Sequence, residues 1–308
     1  MIKFKKILGL LKETVKEWQE DKTARLAAAL AYYTVFSIAP LIIIAIAVAG
    51  AIFGEEAARG EIVGQIQGLV GTEGAKVIET AIENANKPSS NGGIASLISI
   101  VVLLFGASGV FAQLQDALNT VWEVQTKPGR GIKTFFRKRV LSFSMVLGIG
   151  FLVMVSLLLS AALAGLNAYM NHLIPGVDWL WQILNFVLSF AIITLLFAMI
   201  YRFLPDVKIA WGDVWIGAII TALLFEIGKF LLGLYLGRGS FGSTYGAAGS
   251  LVIVLVWVYY SAQILFFGAE FTQVYAKHYG SRIVPDENAE PIPEEARAKQ
   301  GMTRNRRR

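Results

Sequence analysis

Apolar residues fall in long runs along this chain, and polar residues gather between them. Six runs stand out, at about 26–53, 94–115, 140–170, 178–203, 211–236 and 246–275. About 20 consecutive apolar residues cross a bilayer as a helix, so each run reads as a membrane span. Pro40 interrupts the first run. It removes one helical hydrogen bond and crowds the preceding turn, so a kink or break is expected there. The opening "MIKFKKILGLLKETVKEWQE" follows another rule. Phe4, Ile7, Leu8, Leu11, Val15 and Trp18 recur at helical spacing, with Lys5, Lys12 and Lys16 on other faces. This pattern predicts a basic amphipathic helix over 1–24, lying in the membrane interface; the alternative is a helix packed on the protein's own loops.

Between the first two runs, 54–93 carries apolar residues at helical spacing, broken by Gly71 and Gly74. Two short amphipathic helices are expected over the outer mouth of the bundle. The end of the chain, 277–308, is polar, charged and bears prolines. Its composition predicts a disordered tail whose "RNRRR" end is solvated. The expected architecture is therefore all-α: an interfacial helix (1–24), a six-helix membrane domain (25–276) with a helical external loop, and a charged tail. No internal repeat is visible, which weighs against inverted-repeat transporters.

Composition agrees. Of 308 residues, 55% are hydrophobic and 16% charged, well below the roughly 25% of soluble domains. The distribution of charge orients the bundle. Lys and Arg number 23 in 1–25, 127–139, 202–208 and 276–308, against 4 in the alternate loops. The excess places both termini on the cytoplasmic side of a multi-pass protein. No cleaved signal peptide is expected, because the first apolar run starts too far from the N-terminus.

Catalytic signals are sparse. There is no cysteine, and the two histidines, His172 and His278, are expected on opposite faces of the membrane. HExxH, GxSxG and Walker A patterns are missing from the sequence. The reading leans away from an enzyme, a metal or a cofactor.

Polar residues inside the runs are the candidates for function. A charge at the bilayer centre costs at least about 2.5 kcal/mol, so such groups face the bundle interior or a partner. Glu226 and Lys229, in "LFEIGKFL", are three apart on one helix face. Tyr260, Gln263, Glu270 and Gln273 share a face of the last run; Gln115, Asp116 and Asn119 close the second; Arg25, Tyr32 and Ser37 belong to the first. Arg25, Asp116 and Glu270 are placed toward the cytoplasmic side, with Glu226 and Lys229 deeper. These residues either line a path across the bundle or hold helices in register through structural pairs. Gly246, Ala247 and Gly249, after the glycine-rich "GRGSFGSTYGAAGS", read as small residues for close helix packing.

The blocks "RLAAALAYYTVFSIAPL", "GVFAQLQDALNTVWEV", "RFLPDVKIAWGDVWIGAIITALLFEIGKFLLGLYL" and "YGAAGSLVIVLVWVYYSAQILFFGAEFTQVY" resemble the YihY/BrkB family of bacterial inner-membrane proteins. The resemblance spans about 25–276. It implies a six-helix inner-membrane protein and makes Arg25, Tyr32, Pro40, Asp116, Asn119, Asp206, Glu226, Lys229, Tyr245 and Glu270 the positions to test. The family's older ribonuclease BN label implies tRNA processing, which this sequence does not favour, and no nucleic-acid partner is expected. Links of other members to serum resistance and export of a lipid-A precursor imply transport of an envelope component. The leading expectation is a permease or flippase without ATP use. Its partners would be membrane lipids and an anionic amphipathic substrate, with Lys229 and Arg25 as cationic contacts and Glu226 or Glu270 carrying a coupling proton. The alternative is a membrane scaffold that recruits envelope machinery through its ends.

Overall fold

The computed structural model describes residues 4–85, 92–127, 178–238, 249–280 and 283–299, with residue 302 and a few positions between 140 and 159. Most of the third predicted run, and Tyr245, Gly246 and Ala247, lie outside the described residues.

Four helices among the described residues are long and apolar enough to cross a membrane. They are α2 (Thr23–Phe53), α5 (Asp178–Phe203), α6 (Trp211–Arg238) and α7 (Gly249–His278). Another helix, α4 (Gly92–Val121), covers the second predicted run. Helices α2, α4, α5, α6 and α7 build the main core around Leu118, Tyr201, Val214, Phe266 and Ala269.

Of the kink or break expected at Pro40, the break does not occur, and α2 runs from Thr23 to Phe53 with the proline inside it. The proline ring seats against Gly106 of α4, where a Cβ would come within 3.2 Å of Pro40 Cγ. One turn earlier, Ser37 Oγ donates to the Gly106 carbonyl at 2.6 Å. Tertiary contact at the glycine thus holds together a helix that proline weakens locally.

Helix α1 (Phe4–Glu20) is followed by a turn through Lys22, whose φ of 52° is left-handed. Leu10 packs against Phe271 and Val274 of α7, while Ile7, Leu8, Leu11 and Val15 remain exposed. One face of this helix thus docks on α7, and an apolar stripe faces outward.

Within the 54–93 segment lies α3 (Glu55–Ala85), split at Gly71 (φ 77°, ψ 173°) into two helices. Only a glycine adopts that backbone without strain. Gly74 is helical, so the single break is at Gly71. The two halves bury Ile62, Val70, Ile78 and Ile82 against Ile42 and Ile46 of α2 and Val254 of α7. Arg59 in the first half reaches Glu83 in the second at 3.0 Å.

Helices α6 and α7 approach through reciprocal glycines. Gly217 of α6 receives Thr272 of α7, and Gly268 of α7 receives Thr221 of α6. Each threonine hydroxyl is satisfied within its own helix, Thr221 to Gly217 O at 2.7 Å and Thr272 to Gly268 O at 2.6 Å. Small residues four apart let the helix backbones close, as is common in membrane bundles. Of the glycines expected to pack, Gly249 is buried at the start of α7.

The predicted disordered tail is corrected over 283–299. Strand β3 (Val284–Pro285) pairs antiparallel with β2 (Val207–Lys208), and β4 (Ala289–Pro291) with β1 (Val124–Thr126). A short helix, α8 (Glu294–Lys299), follows and buries Arg297. Composition marks charge and proline as solvated. Here the prolines sit in two-stranded edges, where a missing N–H is tolerated, and the arginine finds acids distant in sequence. The "RNRRR" end lies outside the described residues.

Candidate functional site

Ionisable side chains converge at the end of the bundle where α1 meets α2, α4 and α7 finish, and the tail folds back. Asp21 lies in the α1–α2 turn, held by its N–H to Glu17 O at 2.9 Å, and is 1% exposed. Arg297 donates to Asp21 Oδ1 at 2.7 Å and stands 3.3 Å from Glu123 Oε1. Lys277, in the last turn of α7, reaches the same Glu123 oxygen at 3.4 Å. Glu17 and Glu270 lie within electrostatic range of this group, and Glu270 is 0% exposed.

Among the described residues these four carboxylates lie near two cations, Lys277 and Arg297. Burial is the larger influence on Asp21 and overrides the arginine beside it, pushing its carboxyl up to about 7. Burial also raises Glu17, with Lys277 opposing. Glu123 and Lys22 are the two described non-glycine residues with positive φ, 56° and 52°, and both flank this group. Left-handed backbone costs a non-glycine residue about 1–2 kcal/mol. At Glu123 the surrounding contacts fix it: its carbonyl accepts the Ile292 N–H at 2.9 Å, and its carboxylate faces both cations.

Beside the cluster opens a cavity of about 360 Å³, lined by Trp122, Glu123, Gln273, Lys277, Pro285 and Pro291. The bundle supplies one wall and the tail the other. A second cavity, about 290 Å³, lies at the opposite end under α3, with Glu55 and Arg59 among isoleucines of α2 and α3.

The residues expected to line one path are divided between two depths. Glu226 and Lys229 pair with each other at 2.7 Å on α6, one turn apart. Nearby, Tyr260 of α7 lies over Gly228, where a Cβ would meet its ring at 2.5 Å. Gln263 leaves Oε1 buried without a hydrogen bond, as does Glu226 for its second oxygen. Glu270 belongs to the tail-end cluster. Asn119 and Gln115 bind Asp206 in the α5–α6 turn. Asn119 Nδ2 donates to Asp206 Oδ2 at 2.9 Å, Gln115 Nε2 donates to Oδ1 at 3.3 Å, and the Asp206 N–H returns to Asn119 Oδ1 at 2.8 Å. Arg25 and Asp116 lie exposed at the same end. Tyr32 is 61% exposed, its ring against Tyr33 and Phe36.

Sequence reasoning passed over Glu17, Asp21, Glu123, Lys277 and Arg297, because they fall outside the apolar runs. The legible signal was a pair of acids beside tryptophans at helix ends, "EWQED" and "VWEV".

The family profile described as Virulence factor BrkB matches residues 14–293. Similar curated proteins are named UPF0761 membrane proteins. That of Psychrobacter sp. (strain PRwf-1) is 26% identical over 281 residues, covering 90% of this chain and 50% of that protein. That of Tolumonas auensis is 31% identical over 194 residues, 62% of this chain and 59% of the relative. That of Photobacterium profundum is 29% identical over 279 residues, 86% and 82% respectively. The chain thus spans about half to three-fifths of several of the relatives it matches. No solved structure matches.

Proposed function

This chain belongs to the Virulence factor BrkB family of membrane proteins, and on that premise we propose that it is a non-ATP-driven permease for an amphipathic envelope component. In this reading it lies in the bacterial inner membrane with six spans and both termini cytoplasmic. It performs no covalent chemistry and does not process RNA. The observation that carries the proposal is Glu270, fully buried in α7 with neither carboxylate oxygen hydrogen-bonded. An acid placed in an apolar helix without a partner adds nothing to packing, and such residues in spans mark substrate or ion routes. The cluster around it joins the bundle, α1 and the tail, so a change of charge there alters how the four fit together.

In the transport cycle the cavity beside Glu123 and Lys277 is the cytoplasmic entrance, and Glu270 senses its occupancy. The deeper Glu226–Lys229 pair offers a cation and an anion to a headgroup crossing the middle of the bundle. The test is a reconstituted one. Proteoliposomes carrying fluorescent anionic lipids are assayed for movement between leaflets, with Glu270→Gln alongside. Movement by the wild type that falls at least about tenfold in a correctly folded Glu270→Gln supports the proposal. Equal movement by both, or none by either, refutes it. A scaffold is the second reading, favoured by the folded platform that α1, the two short sheets and α8 form at one end. It predicts loss of cellular function on deletion of 1–20 or 282–308, with Glu270→Gln unaffected.

A further inference from the structure

Buried acceptors without donors recur on α7 and on the neighbouring helix α4. Both of its carboxylate oxygens lack a hydrogen bond, and so does Oε1 of Gln273, one turn along α7. Gln115 Oε1 on the neighbouring helix α4 is in the same condition. All three side chains are at least 99% buried. Every one of these atoms needs a hydrogen-bond donor or a cation, and an unmade bond to a buried carboxylate costs several kcal/mol. The nearby charges do not supply it. Lys277 and Arg297 are engaged with Glu123 and Asp21, while Glu17 and Asp21 add negative potential at Glu270.

We propose that Glu270 and Gln273, one turn apart on α7, bind a partly hydrated monovalent cation of sodium size, which enters through the cavity lined by Glu123, Gln273 and Lys277. The choice of ion follows from the ligands. Among the described residues no group of three or more His, Cys, Asp or Glu side chains has the arrangement to hold a metal ion. Calcium takes six to eight oxygens, commonly from several carboxylates, and magnesium keeps its water shell. One carboxylate with a neutral amide oxygen suits a single charge. A proton fits less well, because one O–H satisfies one acceptor and leaves the second carboxylate oxygen or the Gln273 amide oxygen as it was. The Glu17 and Asp21 charges draw the cation in from the tail end, and Lys277 at the entrance limits its affinity. This site stands whether or not the protein transports anything, so a failed transport assay does not touch it.

The test uses the purified full-length protein in detergent micelles. Thermal midpoints are recorded as sodium chloride replaces choline chloride at constant ionic strength, with potassium chloride in a parallel series. Ligands that bind only the folded state raise its midpoint. The expected result is a saturable rise of about 2 °C or more with sodium and a smaller one with potassium. Glu270→Gln, which keeps the shape and removes the charge, abolishes the rise. Gln273→Leu shifts saturation to higher sodium by about tenfold, since a lost ligand costs about 1.4 kcal/mol. Glu83→Gln, at the far end, leaves the titration unchanged. Equal midpoints in sodium and choline overturn the proposal, as does a sodium response that survives Glu270→Gln. A midpoint that follows pH but not sodium identifies a proton instead and also overturns it. If Glu270→Gln does not fold, Gln273→Leu alone decides, by whether its saturation moves.

Discussion

Replacing Arg297 by methionine isolates the clasp between tail and bundle. Arg297 is 5% exposed and bonded to Asp21 at 2.7 Å, with Glu123 at 3.3 Å. Breaking a buried ion pair costs about 3–5 kcal/mol when the remaining charge has no escape. Asp21 does have one. Its carboxyl, already raised to about 7, can take a proton instead of the arginine. At pH 8 that proton costs about 1.4 kcal/mol, and at pH 6 almost nothing. The loss is therefore expected at about 2–3 kcal/mol at pH 8 and about 1.4 kcal/mol less at pH 6. The sign agrees with linkage: a raised carboxyl binds more protons when the tail is docked, so docking is strongest at low pH and weakens as pH rises through about 7. Hydrogen exchange at the tail amides reads the opening directly. The Ile292, Asp286 and Lys127 N–H groups bond to Glu123, Asp206 and Asn288 across the short sheets. Their protection factors should fall in Arg297→Met, about tenfold further at pH 8 than at pH 6. In Asp21→Asn/Arg297→Met the pH difference should disappear. Unchanged protection, or an equal loss at the two pH values, would refute the reasoning.

Other outcomes follow from the packing. Lys229→Met strands Glu226 and should lower the thermal midpoint in micelles, whereas Glu226→Gln/Lys229→Met should regain most of it; two equally impaired proteins would mean the charges act separately. Gly217→Ala and Gly268→Ala drive a methyl into Thr272 and Thr221, and each should cost about 1–3 kcal/mol in denaturant unfolding. Asn119→Leu removes two bonds to Asp206, one of them to its charge, and should cost about 2 kcal/mol, read as faster hydrogen exchange in the 204–208 turn.

Four long apolar helices were legible as candidate membrane spans because the bilayer imposes a length and a composition on each helix separately. The hinge in 54–85 was legible for a similar reason: Gly71 carries its own backbone freedom, and no neighbour is needed to read it. Glu226 and Lys229 could be read as a pair, since three residues on a helix bring side chains together. Other features depend on residues far apart in the chain. Nothing local to Pro40 says that Gly106 will receive its ring, and nothing in the tail's composition says that Arg297 will meet Asp21, 276 positions away. The same holds for Asn119, which the spacing put on a path and the fold put on Asp206. Sequence by itself determined which segments must leave water, because that depends on each segment's own transfer energy. Only the tertiary structure decided which buried charges are matched and which, like Glu270, are left wanting a partner, because pairing energy exists only between groups that folding has brought together.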